Sequence, residues 1–212
     1  MAPLAIYLRQ AGYEVEAFDD SFREPVRSLL EKHGIGILPD PAPSREPDVV
    51  IRSSAISENR PEIEHWKKLG VPVYRRGEFL ADLLRDRKVL AVVGSHGKTT
   101  TASMIVWLLN KYGYDFGYLI GGLFSEGALP PAAYSEASWV VVEVDESDGT
   151  IDCFSPDLTL ALNCDWDHSC LYASRNAFKE TLASLFARTK SFILSPFESD
   201  LEDLARVSSH CS

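Results

Sequence analysis

A glycine loop that ends in Gly-Lys-Thr constrains this chain most. The apolar run Val89–Val93 leads into Gly94-Ser95-His96-Gly97-Lys98-Thr99, and a helix-like segment over 99–112 follows. Backbone N–H groups in such a loop turn toward phosphates, the lysine adds a positive charge, and the threonine hydroxyl reaches Mg²⁺. The spacing is shorter than that of a full Walker A loop, which has glycine at the place of Val92. The pattern predicts a nucleotide-phosphate site, the alternative being a plain turn before a helix. The residues predicted to bind nucleotide here are Gly94, Ser95, His96, Gly97, Lys98, Thr99 and Thr100.

A second segment places acids at the end of a buried strand. The apolar run over 139–144 is interrupted by Glu143, and Asp145, Glu146 and Asp148 follow it. Ligands of open α/β sheets bind outside the carboxyl ends of strands, where a carboxylate can hold Mg²⁺. Because an ionised group in an apolar run needs a metal or a cation, Glu143 is the strongest candidate. The alternative is a capping or solvated acid cluster.

A third segment follows the next strand, over 162–168, and contains Asn163 and His168. His168 is a candidate metal ligand or phosphate contact, although a lone histidine is more often structural. A zinc site is the other alternative, but its residues do not have the spacing of a common zinc site. The residues of that zinc alternative are Cys164, Asp167, His168 and Cys170.

Helix and strand patterns alternate along almost the whole chain, which is typical of α/β folds with parallel sheets. The segment over 123–138 resembles a loop. The charged run over 85–88 separates two units, so we expect domains at 1–87 and 88–212, each with a doubly wound, mostly parallel sheet. The helices are expected at 3–11, 25–33, 61–69, 78–84, 99–112, 175–188 and 198–205. The strands are expected at 15–18, 36–38, 48–51, 71–74, 89–93, 117–120, 139–144, 158–162 and 191–194.

Composition excludes several function classes. The formal net charge of -10 argues against nucleic acid as the main partner. No apolar run approaches the roughly 18 residues of a membrane span, and no signal peptide is visible. The four cysteines form no CxxC pair, which favours free thiols and a cytoplasmic location.

Together, these segments resemble three signature segments of the Mur ligases. They are Gly94–Thr101, Glu143–Asp148 and Asn163–His168. Ser53–Ser57, Pro61–Ile63 and Val71–Arg76 are similar to the N-terminal domain of one branch of that family. The branch joins L-alanine, or a recycled tripeptide, to UDP-N-acetylmuramate.

The resemblance implies an incomplete Rossmann-like N-terminal domain, an incomplete P-loop-type central ATPase domain, and ATP-dependent, ADP-forming ligation through an acyl phosphate. It implies that Lys98 contacts the transferred phosphoryl group and that Asn163 lines the phosphate site. Thr99 and Glu143 would hold one Mg²⁺, and His168 a second. Catalytic roles fall on Lys98, Glu143 and His168, with ATP and Mg²⁺ as cofactors. The residues expected to bind the nucleotide sugar are Asp19, Ser53, Ser54 and Arg76.

The chain also departs from the family pattern. It starts after the place of the family's first strand and Gly-x-Gly-Gly-x-Gly-Met loop, and it stops before a third domain. Cys170 stands where the family commonly has an acid, and Arg60 where it often has asparagine. We therefore expect a form truncated at both ends, with little ligation activity. A non-catalytic nucleotide-binding remnant and another P-loop NTPase are the alternatives.

Overall fold

The structure is a computed structural model that describes residues 1–41, 45–124, 128–145, 149–165, 172, 174–197 and 200–209. Its helices are α1 (Ala2–Gln10), α2 (Val26–Lys32), α3 (Pro61–Lys68), α4 (Arg76–Leu83), α5 (Lys98–Lys111), α6 (Thr150–Cys153), α7 (Arg175–Ala187) and α8 (Asp200–Ser209). Its strands are β1 (Glu16–Ala17), β2 (Gly36–Ile37), β3 (Val50–Arg52), β4 (Val73–Arg75), β5 (Lys88–Val93), β6 (Gly117–Leu119), β7 (Ala132–Ala133), β8 (Trp139–Glu143), β9 (Leu158–Ala161) and β10 (Phe192–Leu194). Among the described helices, none has both the length and the apolar character needed to cross a membrane.

The first four strands form two separate parallel pairs, β1 with β2 and β3 with β4. The predicted α/β class and the parallel strand direction are confirmed. The expectation of one doubly wound sheet in this part of the chain is wrong, since no ladder joins the two pairs within the described residues. The pairs are two and three residues long, so each makes few ladder hydrogen bonds.

The second part of the chain forms a six-stranded sheet in the order β10-β9-β5-β8-β6-β7. Its pairs are parallel except β6 with β7. From β5 the chain first builds strands on one side, then crosses β5 to build β9 and β10 on the other. The point where the strand order reverses is the usual ligand crevice of an open α/β sheet, and it lies at the carboxyl end of β5.

The central strands β5 and β8 of this sheet are buried on both faces, which explains their apolar runs in the sequence. Val140 and Val142 of β8 point into one buried cluster, whereas Val141 points into a second cluster with Ala102 and Val106 of α5. Strands covered on both sides need apolar side chains at every position. Glu143, at the carboxyl end of β8, is only half-buried, so it does not have to be apolar.

Two short elements lie outside the predicted pattern. The two-residue strand β7 falls in the segment expected to be a loop, and the four-residue helix α6 was not expected. Both are too short to show a hydrophobic period in the sequence. Helix α4 begins two residues before its expected start, because the Glu78 carboxylate accepts the Arg75 N–H at 3.0 Å.

The larger buried cluster continues across the expected domain boundary. It contains Leu4 and Tyr7 of α1 and Leu80 of α4, together with Val89 of β5 and Leu119 of β6. Tyr7 packs edge-on against Tyr134 with ring centroids 5.4 Å apart, and the Gln10 side chain accepts the Tyr134 N–H at 2.8 Å. The two units predicted from the sequence therefore share one core.

Candidate functional site

The loop after β5 lies at the strand-order reversal of the six-stranded sheet. Gly94 and Gly97 adopt positive φ angles of 138° and 79°, and Gly97 immediately precedes α5. A Cβ atom at Gly94 would lie 3.1 Å from the backbone N and O of Asn163. Position 94 therefore requires glycine for two reasons. Its φ angle is positive, and the backbone of Asn163, just after β9, leaves little room for a side chain.

Lys98 lies over this loop. Its ammonium Nζ donates to the Gly94 carbonyl at 2.7 Å and lies 3.9 Å from Oδ1 of Asp145. The side chain is only 11% exposed. A cation held at the mouth of a glycine loop, beside the first turn of a helix, is suited to phosphate oxygens.

Thr99, Glu143 and Gly121 meet beside the lysine. The Thr99 hydroxyl donates to Oε1 of Glu143 at 2.7 Å, and the Gly121 N–H donates to Oε2 at 2.6 Å. Both carboxylate oxygens of Glu143 are thus hydrogen-bonded on a half-buried side chain. The three residues come from α5, β8 and the turn after β6, so only the folded sheet brings them together.

This hydroxyl and carboxylate fit a hard divalent cation, because Mg²⁺ prefers oxygen ligands from few side chains together with water and phosphate. Among the described residues, no three His, Cys, Asp or Glu side chains are grouped so that they could hold a metal ion. His168 falls outside the described residues, as do Glu146, Ser147 and Asp148. Of the zinc alternative only Cys164 is described, as a buried free thiol.

Asn163 clamps the glycine loop after β5 through hydrogen bonds to the loop's backbone. Its Oδ1 accepts the His96 N–H at 2.9 Å, and its Nδ2 donates to the His96 carbonyl at 3.0 Å. The Ser95 N–H also donates to the Asn163 carbonyl, at 3.4 Å. The carboxamide therefore shapes the loop by bonding its backbone.

Removing this clamp is expected to weaken nucleotide binding. Asn163→Ala deletes two hydrogen bonds of about 1 kcal/mol each, so ATP affinity should fall by up to roughly 30-fold. Calorimetric titration of the chain with ATP measures the change. Asn110→Ala, an exposed position near the other end of α5, is the matched control. Equal affinities for the two variants would refute a role for the clamp.

The residues expected to bind a nucleotide sugar lie just beyond the carboxyl ends of the short strands. Asp19 follows β1, Ser53 and Ser54 follow β3, and Arg76 follows β4. Asp19 is exposed, and its Oδ1 accepts the Ser21 N–H at 2.9 Å. The Ser53 hydroxyl accepts the Ala55 N–H at 3.3 Å. The structure thus shows turn-forming contacts for two of the four, and all four remain predictions as ligand contacts.

An ion pair joins the loop after β1 to the start of α3 and was not predicted. Both guanidinium NH₂ groups of Arg60 bond the Asp20 carboxylate, at 2.8 and 3.1 Å, and Arg60 also pairs with Glu62. The hydrogen bonds from Arg60 hold the pKa of Asp20 below its usual value. Arg60, which departs from the asparagine of the family pattern, therefore links the loop after β1 to the start of α3. The sequence signal was only that departure, since the two residues are 40 positions apart.

Comparison with known proteins places these features in context. The sequence model described as "Mur ligase family, catalytic domain" matches residues 1–88. A UDP-N-acetylmuramate–L-alanine ligase of Solidesulfovibrio magneticus is 38% identical over 79% of this chain and 37% of its own length. The UDP-N-acetylmuramate–L-alanyl-γ-D-glutamyl-meso-2,6-diaminoheptandioate ligase of Escherichia coli is 34% identical over 85% of this chain and 42% of its own length. This chain thus spans about two fifths of the length of the curated relatives it matches.

Solved structures agree with these matches. The UDP-N-acetylmuramate:L-alanyl-γ-D-glutamyl-meso-diaminopimelate ligase of Neisseria meningitides superposes with a TM-score of 0.86 and 26% identity. That superposition covers 98% of this chain and 71% of the other. The UDP-N-acetylmuramate–alanine ligase of Thermotoga maritima gives a TM-score of 0.84 at 24% identity, over 96% of this chain and 48% of the other, which supports the fold.

Proposed function

Because this chain belongs to the Mur ligase family, we propose that it carries the ATP- and substrate-binding residues of a peptidoglycan precursor ligase. The reaction joins an amine to the lactyl carboxylate of UDP-N-acetylmuramate and converts ATP to ADP and phosphate. The contact of Thr99 with Glu143 beside the phosphate loop carries this proposal. It joins a nucleotide loop to a carboxylate at one end of the sheet, as the family's chemistry requires.

The chemistry explains why a nucleotide site is needed. A carboxylate is a poor electrophile, so one of its oxygens first attacks the γ-phosphorus of ATP, and the bond to the β-phosphate oxygen breaks with release of ADP. The amine nitrogen then attacks the acyl carbon of the acyl phosphate. Phosphate leaves, the nitrogen loses a proton, and an amide forms. Both steps depend on alignment and on charge neutralisation.

The residues of this chain divide that work. Lys98 neutralises oxygens of the β- and γ-phosphates. The loop from Gly94 to Thr100 binds the phosphates with backbone N–H groups other than those of Ser95 and His96, which donate to Asn163. Thr99 and Glu143 would hold Mg²⁺, which would offset negative charge on the phosphate oxygens. His168 is proposed for a second Mg²⁺, and Asn163 acts through the loop that it clamps.

The substrate assignments rest on position. Asp19, Ser53, Ser54 and Arg76 lie at strand ends of the first unit and are proposed to contact the UDP-N-acetylmuramate. The amine donors in the names of the two relatives are L-alanine and a peptide that begins with L-alanyl. We therefore assign the attacking nitrogen to an L-alanyl α-amine, free or at a peptide N-terminus. Since both ATP and the nucleotide sugar are cytoplasmic metabolites, we place the reaction in the cytoplasm.

The purified chain, ATP, Mg²⁺, UDP-N-acetylmuramate and L-alanine allow a direct test. Calorimetry measures nucleotide binding, and a coupled assay measures ADP release with each substrate omitted in turn. A parallel series replaces L-alanine by the L-alanyl peptide. The proposal expects Mg²⁺-dependent ATP binding together with saturable binding of UDP-N-acetylmuramate.

The outcomes separate the alternatives. ADP release that needs both the muramate nucleotide and the amine supports a complete ligase site in this chain. Binding of ATP and UDP-N-acetylmuramate without ADP release indicates that this chain carries the ligand-binding residues but not a complete ligase site. ADP release that is indifferent to the muramate nucleotide indicates another P-loop NTPase and contradicts the proposal.

A further inference from the structure

We propose that the turn Gly121–Gly122 is a positioning element of the Thr99–Glu143 site, an inference that rests on the proposed function. The turn directly follows β6, which lies beside β8 in the sheet. Gly121 lies against Glu143 and Gly122 lies against Thr99, the two proposed Mg²⁺ ligands. Neither residue is a ligand itself, and each acts through a different partner.

Gly121 acts on the carboxylate. Its N–H donates to Oε2 of Glu143 at 2.6 Å, while Oε1 accepts the Thr99 hydroxyl at 2.7 Å. The backbone bond therefore sets the rotation of the carboxylate and points Oε1 toward Thr99. A Cβ atom at position 121 would lie 2.8 Å from Oε2 and 3.1 Å from Cδ, so any side chain would push the carboxylate away.

Gly122 acts on the threonine. A Cβ atom at this position would lie 2.6 Å from Cγ2 of Thr99, while its next contact, with Cβ of Thr99, would be at 3.9 Å. The room for a side chain at position 122 is therefore limited by one methyl group, Cγ2 of Thr99, the residue whose hydroxyl donates to Glu143.

Backbone conformation does not explain the two glycines. Neither has a φ angle in the left-handed region, where glycine is otherwise favoured. The requirement is one of space around Glu143 and Thr99. Outer contacts that orient metal ligands commonly change metal affinity by about 10–100-fold when they are removed.

The test measures the Mg²⁺ concentration that half-saturates binding of a fluorescent ATP analogue. Gly121→Ala and Gly122→Ala are each expected to raise it about 10–100-fold. Thr99→Ser keeps the hydroxyl and deletes the methyl group, so its own Mg²⁺ requirement, whatever its value, is the reference for the double variant. In the double variant Gly122→Ala/Thr99→Ser the new methyl group has room, and the Mg²⁺ requirement should return close to that of Thr99→Ser. Gly36→Ala is the matched control, since a Cβ atom there would meet Glu16 at an ordinary 3.6 Å.

The result that overturns the inference is specific. Gly122→Ala that responds to Mg²⁺ like Gly36→Ala, or a double variant as impaired as Gly122→Ala, shows that the turn does not position the site. If Gly122→Ala does not fold, the double variant alone tests the inference. A double variant that folds and has the Mg²⁺ requirement of Thr99→Ser supports the inference. A double variant that does not fold, or that needs more Mg²⁺ than Thr99→Ser, contradicts it. Failure of the proposed function is distinguishable, because the unmodified chain would then show no Mg²⁺-dependent nucleotide binding.

Discussion

Lys98→Met is expected to lower the affinity of this chain for ATP by about 10–100-fold. The ammonium lies at the mouth of the glycine loop after β5, and the Lys98 side chain is only 11% exposed, so little water screens its charge. A hydrogen bond to a charged group contributes about 1.5–3 kcal/mol, which corresponds to this loss of affinity. Methionine keeps most of the length and the apolar stem. Calorimetric titration with ATP measures the effect.

The same helix supplies the control for this prediction. Lys111, the last residue of α5, has its ammonium 4.7 Å from the centroid of the Trp107 ring, at the end of the helix away from the loop. Lys111→Met makes the same change in net charge, so an equal loss in both variants would show that only net charge matters. Binding of AMP, which lacks the β- and γ-phosphates, should be nearly the same for Lys98→Met and the unmodified chain.

Gly77→Ala is expected to destabilise the fold by about 1–3 kcal/mol, the usual cost of overpacking a tight contact. Gly77 lies in α4, and a Cβ atom there would be 2.7 Å from both Cα and Oγ1 of Thr150 in α6. Thr150 is fully buried. Since one of the contacted atoms is backbone, no rotation of the Thr150 side chain relieves the clash.

Urea denaturation of the variant tests this prediction. Helix propensity makes the direction of the change in the urea midpoint informative. Alanine in place of glycine inside a helix normally favours the helix by about 1 kcal/mol. A lower midpoint in urea therefore requires the predicted clash with α6. A midpoint equal to or above that of the unmodified chain would mean that α4 and α6 separate at little cost. Gly36→Ala, with its ordinary contact at 3.6 Å, again provides the comparison.

The glycine loop between β5 and α5 and the strand before Glu143 could be predicted because their signals are local. An apolar strand, a glycine loop and a helix follow one another within 30 residues, and a single acid interrupts an apolar run. The bond between Gly121 and Glu143 joins residues 22 positions apart in different elements, so no spacing rule indicated it. The glycine pair at the end of β6 was visible, but its role depends on how the sheet orders its strands.

The first unit was harder to predict for related reasons. The sequence predicts Asp19 as a nucleotide-sugar contact, which stays a prediction, and it gave no sign that the neighbouring Asp20 pairs with Arg60, 40 residues away. Strands of two or three residues have almost no period, so the separation into two pairs could not be predicted from the pattern. The role of His168 stays a prediction, and the titration with UDP-N-acetylmuramate addresses the binding of the nucleotide sugar.

The shared core also has a practical consequence for dissecting the gene. A clone beginning at Lys88 would remove α1, α2 and α4 and leave side chains such as Val89 and Leu119 open to water. Newly exposed apolar surface of this kind promotes aggregation during expression. An ATP-binding fragment should therefore be produced together with the preceding 87 residues, on one polypeptide or by co-expression.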